Sequence, residues 1–273
     1  MKKNFKIGIA LGSGGAKGLV HIGVLQVLAE NKIPISHVSG SSIGSVIGGL
    51  YALGISPYDL EKKSVSFGGK SKKDFLKLSI NSKSIYDIKN IHDKLLILYG
   101  DKKFDDLKIP FYPVATDLIT GDKIVFDSGK LIDAVEASSR IPVYFEPLEK
   151  NDSKLVDGGL ISPIPIDVLK DKCDFVIAVP IITFNKKKLP NYKLKIANVL
   201  NRSLSIITNV VLKYELKASK PDFIIPMENL HEYGGFDFHK AKELIEIGRN
   251  TAIKFMPELK KKIREKEKKL NIK

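Results

Sequence analysis

Short apolar runs alternate with longer apolar-faced stretches over the first 55 residues of the chain. Residues 6–11 form an apolar run that ends at glycine, a pattern typical of a buried strand. Residues 19–30 carry apolar side chains around most of a helix circumference, which predicts a deeply buried helix. Residues 35–39 predict a second strand and residues 43–53 a second buried helix. This order favours parallel strands joined by right-handed crossovers.

The rest of the chain continues the mixture of strands and helices. Residues 57–108 are richer in lysine and serine and predict helices and loops that cover part of the sheet or of a site. Residues 111–119 and 123–126 flank Thr120-Gly121-Asp122 and predict a hairpin. Further strands are predicted at 174–180 and 222–226, and further helices at 196–217 and from 238 to about 271, the last broken near Pro257. The chain therefore predicts a three-layer α/β/α sandwich around a mostly parallel sheet.

Length and composition are those of an ordinary globular protein. The 273 residues are 43% hydrophobic and 28% charged, and no repeat or flexible linker divides them, so we predict a single domain over residues 1–273. One cysteine excludes an internal disulfide and favours a reducing compartment, which predicts a cytoplasmic protein. The longest weakly polar stretch, residues 43–55, is shorter than the roughly 20 residues that span a bilayer, so membrane contact would be peripheral.

The chain carries a large positive charge. Lysine and arginine number 45 against 31 acidic residues, a net charge of +14 that would attract an anionic partner. Many of these lysines lie at 186–188 and at 260–269. A solvated helix end explains the second cluster. The same cluster alternatively predicts peripheral contact with an anionic membrane through the basic C-terminal helix. Because zinc-finger spacings and aromatic RNA-binding motifs are missing, nucleic acid is the weaker partner hypothesis.

A glycine-rich loop follows the first predicted strand, in the order Leu11-Gly12-Ser13-Gly14-Gly15-Ala16-Lys17-Gly18. A loop between a strand and a helix binds anions through free backbone amides. The dinucleotide fingerprint fails because Lys17 stands where glycine or alanine is needed, and the Walker loop fails because Lys17 precedes Gly18. Two interpretations remain: an oxyanion hole, in which Gly14 and Gly15 donate their amides, or a tight turn.

The pattern G-x-S-x-G occurs where the second predicted strand meets the second predicted helix. Gly40-Ser41-Ser42-Ile43-Gly44 matches it, with Ser42 at the centre and Ser41 one place off. In a nucleophile elbow, a strained turn exposes the serine hydroxyl and the flanking glycines relieve crowding. The motif therefore predicts Ser42 as a nucleophile, although a helix N-cap serine would explain the string as well.

The candidate base is Asp157, which ends a short predicted strand and precedes Gly158 and Gly159. A carboxylate within reach of the serine hydroxyl can act as general base without a third residue. An ordinary Asp-Gly turn is the alternative. A triad with His231 or His239 also stays open, but both histidines lie in a polar, aromatic segment typical of a surface loop, and the elbow follows only two strands.

Four motifs within residues 7–167 together resemble the bacterial patatin-like phospholipase family. They are the glycine loop with His21-Ile22-Gly23-Val24-Leu25, the elbow, Ala137-Ser138-Ser139-Arg140-Ile141-Pro142, and Asp157-Gly158-Gly159. Ser13 and Lys17 depart from the commoner glycine and arginine, and Ser13 would be strained if its φ were positive. The resemblance fades after about residue 180.

The resemblance implies a serine lipid acyl hydrolase. Ser42 and Asp157 would form a catalytic dyad that cleaves acyl esters through an acyl-enzyme, with residues 12–18 as the oxyanion loop and without metal or cofactor. A Ser-Asp-His esterase and a lipid-surface binding or regulatory protein with a residual site are the alternatives. The lipid and the oligomeric state stay open.

Overall fold

Eight strands form one mixed sheet in the computed structural model, which describes residues 5–69, 88–182 and 196–270. The strands are β1 (Ile7–Leu11), β2 (His37–Ser41), β3 (Phe111–Asp117), β4 (Lys123–Val125), β5 (Leu148–Lys150), β6 (Ser153–Asp157), β7 (Phe175–Val179) and β8 (Phe223–Ile224). The helices are α1 (Val20–Glu30), α2 (Ile43–Ala52), α3 (Pro57–Gly68), α4 (Ile88–Tyr99), α5 (Leu131–Ser138), α6 (Asp167–Lys170), α7 (Ile196–Ser219) and α8 (Ala241–Lys269).

The strand order is β5-β6-β3-β2-β1-β7-β8, with β4 beside β3. Strands β3, β2, β1, β7 and β8 run parallel, and β4, β5 and β6 pair antiparallel at one side. The mostly parallel sheet and the hairpin around residues 120–122 confirm the prediction. All described parallel strands end at the same edge of the sheet, so the segments that follow them can meet there.

Helices cover both faces of the sheet, so the central strands β1 and β2 are largely buried on both sides. In β1, Ile7, Ile9 and Leu11 pack into the larger core together with α1, α2 and α8, whereas Ala10 packs on the other face with residues of α6 and α7. The alternation follows from the two-residue period of a strand. These layers confirm the predicted α/β/α arrangement.

The C-terminal helix differs from the expectation. Its predicted break near Pro257 is wrong, because α8 continues from Ala241 to Lys269 with Pro257 inside it. Proline removes only one backbone hydrogen bond, and the apolar stripe of α8 stays in phase on both sides of it. Leu244, Met256 and Ile263 are all buried, so packing against the core keeps the helix continuous through the proline.

The predicted covering segment at 57–108 contains α3 and α4, while residues 70–87 of it lie outside the described part of the chain. The second strand begins two residues later than predicted and ends at Ser41, so that Ser42 directly follows it. Among the described residues, no helix combines the length and apolar character needed to cross a membrane.

Candidate active site

Ser42 occupies a sharp turn between β2 and α2. Its backbone has φ 55° and ψ −125°, a conformation that is strained for any residue other than glycine. Two glycines make the turn possible: a Cβ on Gly40 would lie 2.5 Å from the carbonyl oxygen of Gly44, and one on Gly44 would lie 2.2 Å from that of Leu11. The turn places the Ser42 hydroxyl at the N-terminus of α2, above the ends of the parallel strands.

Asp157 ends β6 and faces Ser42. The Ser42 hydroxyl donates a hydrogen bond of 2.5 Å to Oδ2 of Asp157, although the two residues are 115 positions apart in sequence. Oδ1 of Asp157 accepts a 2.7 Å hydrogen bond from the amide of Gly159. Both carboxylate oxygens are thus held, and the carboxylate contacts the hydroxyl directly, without an imidazole between them.

The environment of this carboxylate changes its acidity. Ser42 and Asp157 are 4% and 6% exposed. Burial raises the pKa of Asp157 to about 6, and the hydrogen bonds from Ser42 and Gly159 limit the rise. A carboxylate with this pKa is ionised at neutral pH and is a stronger base than an ordinary aspartate.

The glycine loop is anchored by three of its amides. Gly12 donates to the carbonyl of Val179, Ser13 to that of Pro163 and Ala16 to that of Gly235. Within the described residues, the amides of Gly14 and Gly15 have no protein acceptor. Both glycines border the same cleft as Ser42 and Asp157, so their amides are available to a negatively charged oxygen there.

The positive φ in this loop lies at Gly15, at 58°, and a Cβ there would lie 2.4 Å from the carbonyl oxygen of Gly235. Ser13 has no positive φ, so the strain considered for a serine at that position does not arise. Lys17 is 9% exposed, and its burial lowers the pKa of its ammonium group, an effect that Asp237 partly opposes. Lys17 also borders the cleft.

His21 supports the loop, a role that the sequence did not indicate. Its Nε2 lies 2.8 Å from the carbonyl oxygen of Gly12, and burial lowers the pKa of His21 to about 4. The ring is therefore neutral at physiological pH and donates its Nε2 proton to that carbonyl.

The segment Ala137 to Pro142 fixes both members of the pair. The hydroxyl of Ser138 accepts a 2.9 Å hydrogen bond from the amide of Ser42, and it donates to the carbonyl of Val114. The carbonyl of Arg140 accepts a hydrogen bond from the amide of Asp157. These contacts join α5 to the elbow and to β6. Sequence motifs indicated the segment, but not which of its atoms contact the site.

Helix α7 supplies a further support from the C-terminal third. The buried carboxylate of Glu215 accepts hydrogen bonds from the hydroxyl of Ser162 and, at 2.9 Å, from the amide of Ile164. Between these residues lies Pro163, whose carbonyl holds Ser13. Burial raises the pKa of Glu215 to about 7. The sequence did not predict this contact, because a single glutamate in a long helix matches no site motif.

Two cavities of opposite character meet at Ser42. The first, here called the apolar pocket, has a volume of about 130 Å³ and lies between α2, α3 and α4, with Val46, Leu60, Phe67, Leu95 and Leu98 in its wall. The second, the polar cleft, has a volume of about 400 Å³ and contains Lys17, Asp157, Asn198, Arg202 and Tyr233. Gly15 and Ser42 border both.

The two histidines of the alternative triad do not contact the Ser42 and Asp157 pair. His231 is exposed and borders the polar cleft, whereas His239 is partly buried and borders neither cavity. Neither histidine is a hydrogen-bond partner of Ser42 or Asp157.

With this geometry established, comparison with known proteins identifies the family. The family model described as patatin-like phospholipase matches residues 9–170, more than half of the chain. The chain belongs to the patatin-like phospholipase family. The matched region contains the glycine loop, the elbow and Asp157, and it ends before α7, so the polar wall contributed by the C-terminal third lies outside it.

Relatives with larger chains share this region. An uncharacterized NTE family protein of Mycobacterium tuberculosis is 36% identical over 179 residues, which cover 64% of this chain and 48% of that protein. Lysophospholipase NTE1 of Saccharomyces cerevisiae is 25% identical over 267 residues, which cover 89% of this chain and 16% of that protein. The chain thus spans about half of the length of the mycobacterial relative and 16% of the length of the yeast relative.

A solved structure agrees with the patatin-like fold. VipD from Legionella pneumophila superimposes with a TM-score of 0.51 at 12% sequence identity, covering 94% of this chain and 67% of that one. At this identity the likeness concerns the fold alone.

Proposed function

We propose that this chain is a serine lipid acyl hydrolase in which Ser42 is the nucleophile and Asp157 is its only general base. The observation that carries the proposal is the direct 2.5 Å hydrogen bond from the Ser42 hydroxyl to the buried carboxylate of Asp157. Family membership supports lipid hydrolysis, and the raised pKa of Asp157 suits a base that works near neutral pH.

The proposed reaction has two proton transfers in each half. Asp157 takes the proton of the Ser42 hydroxyl while the oxygen attacks the ester carbonyl carbon, and the amides of Gly14 and Gly15 hold the resulting oxyanion. Collapse expels the alcohol, which receives the proton from Asp157. Water then attacks the acyl-enzyme and gives a proton to Asp157, and collapse releases the fatty acid and restores the Ser42 hydroxyl.

The two cavities support an amphiphilic ester as substrate. We assign the acyl chain to the apolar pocket and the polar head to the polar cleft, since the scissile ester would then lie at Ser42. Lys17 and Arg202 in the cleft favour a head that carries a negative group. A lysophospholipid satisfies these requirements, and a relative bearing the name lysophospholipase supports that class.

Hydrolysis of p-nitrophenyl esters tests the pair. We expect Ser42→Ala to abolish turnover and Asp157→Asn to lower kcat/KM by roughly 10²- to 10⁴-fold, the usual contribution of a general base. The exposed Ser128→Ala and Asp152→Asn are matched controls, expected to keep parental activity. The double variant His231→Ala/His239→Ala should stay active. Its clear loss, with Asp157→Asn active, would replace the dyad by a triad.

The second candidate function is a lipid-surface binding or regulatory protein with a residual site. A fluorophosphonate probe separates the two: an active nucleophile becomes labelled at Ser42, whereas a residual site stays unlabelled under conditions that label a control serine hydrolase. The strained conformation of Ser42 favours the enzyme, because strain of this kind persists where surrounding structure maintains it for function.

We also propose that the protein is cytoplasmic and that the basic end of α8 contacts an anionic membrane peripherally. The exposed Lys261, Lys262, Lys268 and Lys269 would supply the charge. Replacing these four lysines by serine should weaken sedimentation with anionic vesicles; unchanged sedimentation would refute this contact.

A further inference from the structure

Helix α7 exposes an apolar stripe along its whole length. Of the sixteen large hydrophobic side chains that are exposed among the described residues, seven lie on α7: Ile196, Val199, Leu200, Ile206, Ile207, Val210 and Tyr214. At 3.6 residues per turn they fall within about a third of the helix circumference and therefore share one face of the helix. Ile196 is 81% exposed, Val210 63% and Tyr214 74%, so the described chain leaves this face uncovered.

The opposite face of the same helix belongs to the site. Leu212 packs into the core beneath the sheet, and Glu215 binds Ser162 and Ile164. Asn198, Arg202 and Thr208 border the polar cleft. One helix, about 10–12 Å across with its side chains, thus separates the cleft from the apolar stripe.

The charges of α7 are arranged unequally. Glu215 is its only acidic residue, and it is buried, whereas Lys213 and Lys217 are exposed beside the stripe. The outer face therefore combines apolar side chains with positive charge alone. This combination fits the acyl and headgroup boundary of an anionic bilayer, where an amphipathic helix lies in the plane of the surface.

We propose that α7 is the membrane-docking surface of this protein and that its partner is an anionic phospholipid bilayer. The outer stripe of α7 enters the interface, Lys213 and Lys217 contact lipid phosphates, and the polar cleft behind the helix opens beside the headgroups. A second copy of the chain is a poorer occupant, because two chains of net charge +14 repel each other whereas an anionic surface attracts the chain. Docking is independent of whether Ser42 is catalytic.

Tryptophan fluorescence provides a direct test, since the chain has no tryptophan. Val210→Trp on α7 and Ile253→Trp on α8 each introduce a single indole, both in the Ser42→Ala background so that lipid is not consumed. Ile253 is 51% exposed and borders Lys260 and Arg264, so it reports whether α8 inserts apolar side chains into the bilayer or contacts the charged headgroups through its lysines without inserting. With phosphatidylcholine vesicles containing phosphatidylglycerol, we expect a blue shift and quenching by spin-labelled lipid for Val210→Trp only. A response from Ile253→Trp alone, or from neither, overturns the proposal.

Vesicle sedimentation provides the second test, with the same Ser42→Ala background. We expect Ile207→Ser/Val210→Ser to weaken partitioning by about tenfold or more, because buried aliphatic area is lost. The matched pair Ile253→Ser/Leu270→Ser should bind like the parent. Lys213→Ser/Lys217→Ser should weaken binding to anionic vesicles and leave the low binding to pure phosphatidylcholine unchanged. Equal effects of the two apolar pairs would overturn the proposal in favour of non-specific hydrophobic adsorption. If Ile207→Ser/Val210→Ser changes the molar mass in solution but not vesicle binding, the stripe is a self-association surface and the proposal is also overturned.

Discussion

The apolar pocket and the polar cleft meet at Ser42 but are built from different parts of the chain. The pocket is formed mainly by α2, α3 and α4, within the region that matches the family model, whereas the outer wall of the cleft comes from α7 and residues 231–236, beyond it. In our account, the shared region therefore supplies the catalytic pair and the acyl site. The C-terminal third supplies the surface that selects the polar head.

Closing the apolar pocket should have the largest effect on activity, and this effect should depend on the length of the acyl chain. Val46 lies one turn after Ser42 in α2 and borders the pocket but not the cleft. We expect Val46→Phe to lower kcat/KM for long-chain esters roughly 10²-fold, since the added ring occupies space that the acyl chain needs, and to spare acetate esters. The assay is a chain-length series of p-nitrophenyl esters. Equal losses for all chain lengths would contradict the acyl assignment.

Changing the cleft should have a smaller effect and the opposite selectivity. Arg202 borders the polar cleft, so Arg202→Met should lower kcat/KM for a lysophospholipid about tenfold, as expected for one charge-assisted contact, and leave p-nitrophenyl butyrate hydrolysis unchanged. Lys213→Met, on the exposed face of the same helix, is the matched control, measured with lysophospholipid as monomers. If both substrates lose activity alike, Arg202 positions the site and does not bind the head.

Removing the charge of Glu215 should have the smallest effect on catalysis and a pH-dependent effect on stability. Burial raises the pKa of Glu215 from its ordinary value of 4.5 to about 7. A carboxyl whose pKa rises on folding stabilises the fold most when protonated, and this contribution is lost as the pH rises from about 4.5 to about 7. Glu215→Gln should remove that pH dependence. Urea unfolding across this range measures it, and parallel pH profiles for parent and variant would contradict the assignment.

The sequence predicted the shared region better than the rest because its signals are local. The strand, loop and helix order over residues 6–53, the G-x-S-x-G turn and the Asp-Gly-Gly turn each depend on a few adjacent residues, whose backbone demands are visible in the sequence. The hydrogen bond between Ser42 and Asp157 could be proposed because both residues carry such local patterns, although 115 positions separate them.

The C-terminal third could not be predicted in the same way because its contributions are contacts at long range. Glu215 reaches Ser162 and Ile164 across more than fifty positions, and Gly235 accepts a hydrogen bond from Ala16 in the glycine loop. No short pattern marks such residues. Pro257 shows the opposite error, since its local propensity predicted a break that the buried stripe of α8 overrides.

The central claim is that Asp157 alone activates Ser42, and the rate at which a fluorophosphonate labels Ser42 tests it most directly, because labelling requires the nucleophile but no lipid. In the parent, the labelling rate should rise with pH through about 6 as Asp157 loses its proton, and it should level off above that value. Asp157→Asn should lower the plateau by at least roughly 10²-fold and abolish the inflection, while His231→Ala/His239→Ala keeps both. Rapid labelling of Asp157→Asn, together with slow labelling of the double histidine variant, would contradict the account.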